Sequence, residues 1–204
     1  MDKYFMSQML VIIATIIISV TYIVKSKKKI LIYFIFYNLF YGIHYLLLNA
    51  YTGFFMNMIS IGRNVFFFYN DSKGKENGKI VLILLFSIII GLGIASYQDF
   101  YSLISMSASL LSAYSIWQSD VRKYRYIAMI VSVLFIIYGI HIKSLFAVIT
   151  EVFLLFVELI GIFINRKKAW LLKNFIIVIK KIYFMFIRIT FILKAKEMIL
   201  WIKI

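Results

Sequence analysis

Long apolar runs separated by short polar or basic breaks set the layout of this chain. The runs cover residues 5–24, 30–48, 53–69, 80–97, 101–118, 124–140 and 144–164. Each is close to the ~20 residues that cross ~30 Å of hydrocarbon at ~1.5 Å per residue. None alternates polar and apolar residues as a barrel strand would, so all seven are predicted to be helices, which close their own backbone hydrogen bonds in lipid. Residues 49–52 read as a tight turn. Residues 71–79, with two glycines, read as a loop, and Asp99 marks the turn after the fourth run.

A pattern within the runs repeats. A basic stretch, Lys25-Ser26-Lys27-Lys28-Lys29, precedes an apolar run, the cluster Tyr41-Gly42-Ile43-His44, and a second apolar run holding Asn57, Arg63 and Asn64. Later, a basic stretch at 118–125 precedes Tyr138-Gly139-Ile140-His141 and a run holding Glu151 and Glu158. The two clusters lie 97 residues apart, which points to two copies of one unit. Three spans are an odd number, so a second triplet following directly would enter the membrane inverted. One extra span restores the orientation. The expected organisation is a three-helix repeat at 1–70, a loop and linker helix at 71–98, a second three-helix repeat at 99–165, and a tail at 166–204.

Composition strengthens the membrane assignment. Of 204 residues, 64% are apolar and 15% charged, with a mean hydropathy of +0.96. A soluble domain of this size cannot bury that much apolar surface. A net charge of +15 raises the question of nucleic acid, but the basic residues cluster between apolar runs, which is a topology signal instead. With seven spans, 20 of the 23 basic residues share one side, Lys3 and Lys143 lie on the other, and Arg63 sits inside a span. Basic loops stay in the cytoplasm, so the expected N-terminus is outside and the C-terminus inside. No small-residue cleavage pattern follows the first run, so it reads as a span and not as a signal peptide.

The stretch His44-Tyr45-Leu46-Leu47-Leu48-Asn49-Ala50-Tyr51-Thr52-Gly53, then Asn57, then Arg63-Asn64-Val65-Phe66-Phe67, resembles the signature of the YgjV-type bacterial inner-membrane proteins. Gln8 and the lysines at 25–29 also fit, and the resemblance covers residues 7–165. That family is distantly similar to the SWEET, PQ-loop and PnuC transporters, which implies a three-plus-one-plus-three helix fold. In SWEET-type proteins, parallel repeats about an axis along the membrane normal flank a central path. This chain has no proline, so the proline–glutamine hinge of the PQ-loop relatives is missing.

Ionisable groups inside a span are costly and are functional candidates by default. Arg63 and Glu158 each lie seven positions before an asparagine that ends its span, which predicts similar depth and a facing pair. The alternative is that Arg63 snorkels to headgroups and Glu158 is held locally. Asn57 and Asn64 are seven apart, as are Glu151 and Glu158, so each pair shares one helix face. Such stripes suit a solute path, with Asn38 a further candidate. Equally, they suit helix–helix hydrogen bonding. His44 and His141 fall near the outer ends of their spans, as outer-mouth groups or as interfacial anchors. Ser102, Ser105, Ser109 and Ser112, with Ala108, form a small-residue face for close packing, as do Gly91 and Gly93.

In the tail, Lys173, Lys180, Lys181, Arg188 and Lys196 recur at seven or eight residues on an otherwise apolar helix. That stripe predicts a basic amphipathic helix lying against anionic lipids of the cytoplasmic leaflet, in preference to an eighth span. No phosphate-binding glycine loop, metalloprotease motif or nucleophile elbow is present. No cysteine is available, and two histidines without further ligands make no metal site. The expectation is an all-α polytopic membrane protein that is not an enzyme, needs no cofactor and binds no nucleic acid. Its expected role is carrying a small polar solute, with a non-transporting scaffold or regulatory subunit as the alternative.

Overall fold

The computed structural model describes residues 2–21, 26–75, 78–118 and 120–163. Among them are seven α-helices and no strands: α1 (Lys3–Thr21), α2 (Lys27–Leu47), α3 (Tyr51–Ser72), α4 (Lys79–Ala95), α5 (Phe100–Trp117), α6 (Val121–His141) and α7 (Leu145–Phe163). Each apolar run became one helix. The helices extend beyond several runs because their first turns accept polar residues. Asp120 caps α6, its carboxylate accepting from Arg122 N at 2.8 Å, so that helix starts before the apolar residues do. Asp99 caps α5 in a capping box with Ser102. By length and composition, Lys3–Thr21, Lys28–Leu47 and Arg122–His141 suffice to cross a membrane, and Lys79–Ala95 is a shorter apolar helix.

The helices close a circuit. α1 packs on α2, α2 on α3, α3 on α5, α5 on α6, α6 on α7, and α7 returns to α1. The fourth helix stands outside this circuit against α3 and α5. There, Ile89 meets Met56 and Ala113, and Gly93 lets Met106 approach so closely that a Cβ would clash with its sulfur. Gly91, expected to pack similarly, faces open space.

Polarity is distributed inside out. Buried positions include Gln8, Asn38, His44, Asn57, Arg63, Asn64, Glu151 and Glu158, together with many serines and threonines. The outer surface carries large apolar side chains, such as Ile80 at 74% and Ile94 at 67% exposure on α4. In water this arrangement would leave apolar surface unburied along the whole bundle. In hydrocarbon it is the low-energy one, since lipid solvates isoleucine and the interior satisfies the polar groups.

The two turns that reverse α2 into α3 and α6 into α7 have the same construction. Ala50 N donates to Tyr45 O at 2.9 Å and Asn49 N to Leu46 O at 3.1 Å, with Asn49 at φ 59°. Ser144 N donates to Gly139 O at 2.9 Å and Lys143 N to Ile140 O at 3.1 Å, with Lys143 at φ 55°. Both are Schellman motifs with a left-handed residue just past the helix end. Corresponding residues are 94 positions apart, whereas the Tyr-Gly-Ile-His clusters are 97 apart. The clusters therefore sit one helical turn out of register: His141 ends α6, while His44 lies a turn inside α2. At the spacing of 94, Glu151 corresponds to Asn57 and Glu158 to Asn64. Arg63 has no acidic counterpart at that spacing.

Candidate functional site

A cavity of about 520 Å³ lies within the circuit of helices. Its wall takes polar side chains from several elements: Asn38 on α2, Asn57 and Arg63 on α3, Ser109 and Ser112 on α5, Ser132 on α6, Glu151 and Glu158 on α7. The wall extends to Thr21, Ile30, Ser115 and Arg125, at the end of the bundle where α1, α3, α5 and α7 finish. In the other direction it stops at Tyr41, Tyr45 and Met56. Five of the six expected path residues thus line one space. The sixth, Asn64, is fully buried beside Arg63, whose Nε donates to Asn64 Oδ1 at 3.2 Å.

Two asparagines on the wall are turned by their own helices. Asn38 Nδ2 donates to Phe34 O at 2.6 Å, and Asn57 Nδ2 to Gly53 O at 2.8 Å. Each spends one of its two amide N–H groups on the carbonyl four residues back. Glu151 receives the Tyr37 hydroxyl at 3.5 Å. Tyr37 was not among the residues picked out by sequence. A tyrosine in an apolar, aromatic-rich run gives no signal that its hydroxyl faces inward.

The expected Arg63–Glu158 pair is replaced by another. Glu158 Oε2 takes Arg125 Nη1 at 3.1 Å, while Arg63 Nη1 reaches Ser112 Oγ at 3.5 Å. Among the described residues no carboxylate pairs with Arg63. The reason is where α6 begins. Sequence counts Arg125 with the basic cytoplasmic stretch at 118–125, at the edge of the sixth run; α6, capped by Asp120, holds it in its second turn and on the cavity wall.

Beyond Tyr45 the bundle is closed by hydrogen bonds. His44 is completely buried, with Nδ1 3.0 Å from Ser7 O and Nε2 3.2 Å from Ser144 Oγ. A carbonyl only accepts, so Nδ1 carries the proton and Nε2 accepts from the serine hydroxyl. Gln8 Oε1 accepts from Phe146 N at 3.0 Å, and Ser144 Oγ accepts from Ala147 N at 3.3 Å, capping α7. The hydroxyls of Thr15 and Thr150 lie 2.6 Å apart deeper in the same α1–α7 seam. On the α3–α5 seam, Thr52 Oγ1 lies 3.2 Å from Ser102 Oγ, and between α3 and α6 Gly53 N donates to Tyr138 Oη at 3.3 Å. On the small-residue face of α5, Ser102 thus hydrogen-bonds across a helix border, whereas Ser109 and Ser112 line the cavity.

His44 is therefore a buried joint and not an outer-mouth group. His141 behaves differently. It is part-exposed, stacked on Tyr101 at 3.8 Å between ring centres, and its Nε2 lies 2.6 Å from Asp99 Oδ2. The two histidines do not meet. The proposed lipid-facing residues Lys173, Lys180, Lys181 and Arg188 lie outside the described residues.

No curated protein and no solved structure matches the chain. The family model Imp-YgjV, described as a bacterial inner membrane protein, matches residues 5–169. That match takes in the bundle and its cavity, and the inside-out polarity is what a membrane protein requires. The chain belongs to the Imp-YgjV family of bacterial inner membrane proteins.

Proposed function

We propose that this protein carries or facilitates a small polar solute along a path between two parallel three-helix units, α1–α3 and α5–α7, joined by α4. The observation that carries the proposal is the cavity of about 520 Å³ with asparagine, arginine, serine and glutamate side chains on its wall. Polar groups gathered only to hold helices together would use up their hydrogen bonds on one another. Here Asn38 and Asn57 spend only one amide N–H each within their own helices and still line the space, and buried ionisable groups of both signs share it. Support for the repeat comes from the matched turns at a spacing of 94 and from the circuit of contacts. With α5, α6 and α7 taken as the counterparts of α1, α2 and α3, each contact in that circuit maps onto another.

The cavity reaches the end of the bundle that adjoins the basic loops and closes at the other. With basic loops in the cytoplasm, the N-terminus outside and the C-terminus inside, this is an inward-facing arrangement. No chemical step is assigned to the protein. The rival reading, a scaffold or regulatory subunit with a packed interior, takes its support from the hydrogen-bonded closure around His44.

The chain has no cysteine, so single cysteines at Asn57 and Glu151 can be tested in intact membranes with a water-soluble thiol reagent. A path predicts labelling of both, faster from the cytoplasmic side. If neither reacts while a cysteine at an exposed loop position does, the interior is sealed and the scaffold reading replaces the carrier.

A further inference from the structure

We infer that the cavity takes a small zwitterion, its carboxylate toward Arg63 and its ammonium group toward Glu151; this rests on the carrier reading above. Four charged side chains line the cavity, and two of them, Arg125 and Glu158, satisfy each other at 3.1 Å. The remaining two are Arg63 and Glu151, each 4% exposed. Among the described residues neither has a partner of opposite charge within 4.0 Å. A buried ion in a low-dielectric interior is strongly unfavourable alone, and a ligand of the opposite charge relieves that cost.

The surroundings of the two groups are complementary in sense. Near Arg63 the unspent capacity is for donating. The guanidinium reaches only Asn64 Oδ1 and a long contact to Ser112, and the buried Asn64 Nδ2 has no partner among the described residues. Near Glu151 the capacity is for accepting. Its carboxylate accepts from the hydroxyls of Tyr37, at 3.5 Å, and Ser132, which leaves acceptor positions over, and Asn57, at the corresponding position of α3, adds an amide to the same wall. Donors suit a carboxylate and acceptors suit an ammonium group.

Asn57 and Arg63 are six positions apart on α3, about 9 Å along the axis between Cα atoms. Helical side chains lean toward the N-terminus, which for Arg63 is the direction of Asn57. A single small molecule can reach both groups, and aromatic rings of Phe34, Tyr37, Tyr41 and Phe135 supply an apolar wall for the remainder of it.

The test uses the detergent-purified full chain and matched probes that differ in one charge. L-Phenylalanine is compared with 3-phenylpropionate and 2-phenylethylamine, and γ-aminobutyrate with butyrate and butylamine. At about ten times its dissociation constant, a bound probe raises the unfolding temperature by about 3–6 °C. The zwitterion of at least one set is expected to exceed both its single-charge analogues. Arg63→Gln should move the preference toward the amine and Glu151→Gln toward the carboxylate, while Arg63→Lys keeps the zwitterion preference and controls for folding. Equal shifts within each set, or no shift with either zwitterion, overturn the inference. If Asn57→Cys still labels in membranes, the path survives and only the ligand class is lost. If it does not label, both are lost.

Discussion

At the scale of single residues, the two histidines give the sharpest contrast. Identical four-residue clusters place them at the same point of a repeated pattern, yet His44 is buried between Ser7 and Ser144 while His141 is part-exposed beside Asp99. Truncating His44 to alanine removes two buried hydrogen bonds, each worth about 0.5–1.5 kcal/mol, and empties the volume of a fully buried ring. Truncating His141 removes a part-exposed contact to Asp99, for which the loss is under about 1 kcal/mol. Thermal unfolding of the two variants in detergent should therefore separate them by several degrees, with His44→Ala the less stable. Equal losses would mean that the hydrogen bonds of His44 contribute little. Sequence could identify both residues but not this difference, because a shift of one helical turn leaves a four-letter match unchanged. The polar residues Asn57, Glu151 and Arg63 were legible for a different reason. An ionisable or amide group inside a long apolar run has few places to go except inward. The partners of Glu151 and Glu158 were not legible, since Tyr37 and Arg125 lie in an aromatic run and a basic stretch where many neighbours look alike.

At the scale of elements, the apolar runs marked all seven helices and missed mainly their ends. Caps decide ends, and capping residues are polar, so hydropathy reads them as loop. Asp120 is the consequential case: it starts α6 early enough to carry Arg125 to the cavity. The reversals between α2 and α3 and between α6 and α7 allow a direct test of the turn geometry. Both need a left-handed residue. Asn49 tolerates φ 59° comparatively well, whereas Lys143 at φ 55° carries the full Cβ penalty. Lys143→Gly should therefore stabilise the protein by about 0.5–1 kcal/mol, and Asn49→Gly by clearly less. Denaturation midpoints of the two variants measure this. A larger gain at Asn49 than at Lys143 would contradict the strain argument, and Lys143→Val should destabilise, since a β-branched side chain fits φ > 0 worst.

At the scale of the whole molecule, the circuit of helices closes where chain-distant segments meet. The repeated clusters lead sequence to expect two like units, α1–α3 and α5–α7. It could not say which helices would border each other between units, because that depends on small hydroxyls facing across a seam. Two such contacts join residues far apart in the chain: Thr15 with Thr150 at 2.6 Å, and Thr52 with Ser102 at 3.2 Å. They are the α1–α7 and α3–α5 borders of the same circuit. Cysteine pairs at these positions should form disulfides under mild oxidation in native membranes, since hydroxyl oxygens this close place their Cβ atoms near disulfide range. A protease site inserted between α3 and α4 makes the result readable. After cleavage, the fragment carrying α1–α3 and the fragment carrying α4–α7 should stay joined without reductant and separate with it, for either cysteine pair alone. A circuit that is open at one border would leave one pair uncrosslinked, and the cavity would then face lipid on that side. If the solute path opens by parting the two units, both crosslinks should also slow thiol labelling from the non-cytoplasmic side, because each pins a seam that has to separate. Labelling unaffected by both bonds would mean that access is gated elsewhere, with the hydrogen-bonded closure around His44, Gln8 and Ser144 the next place to probe.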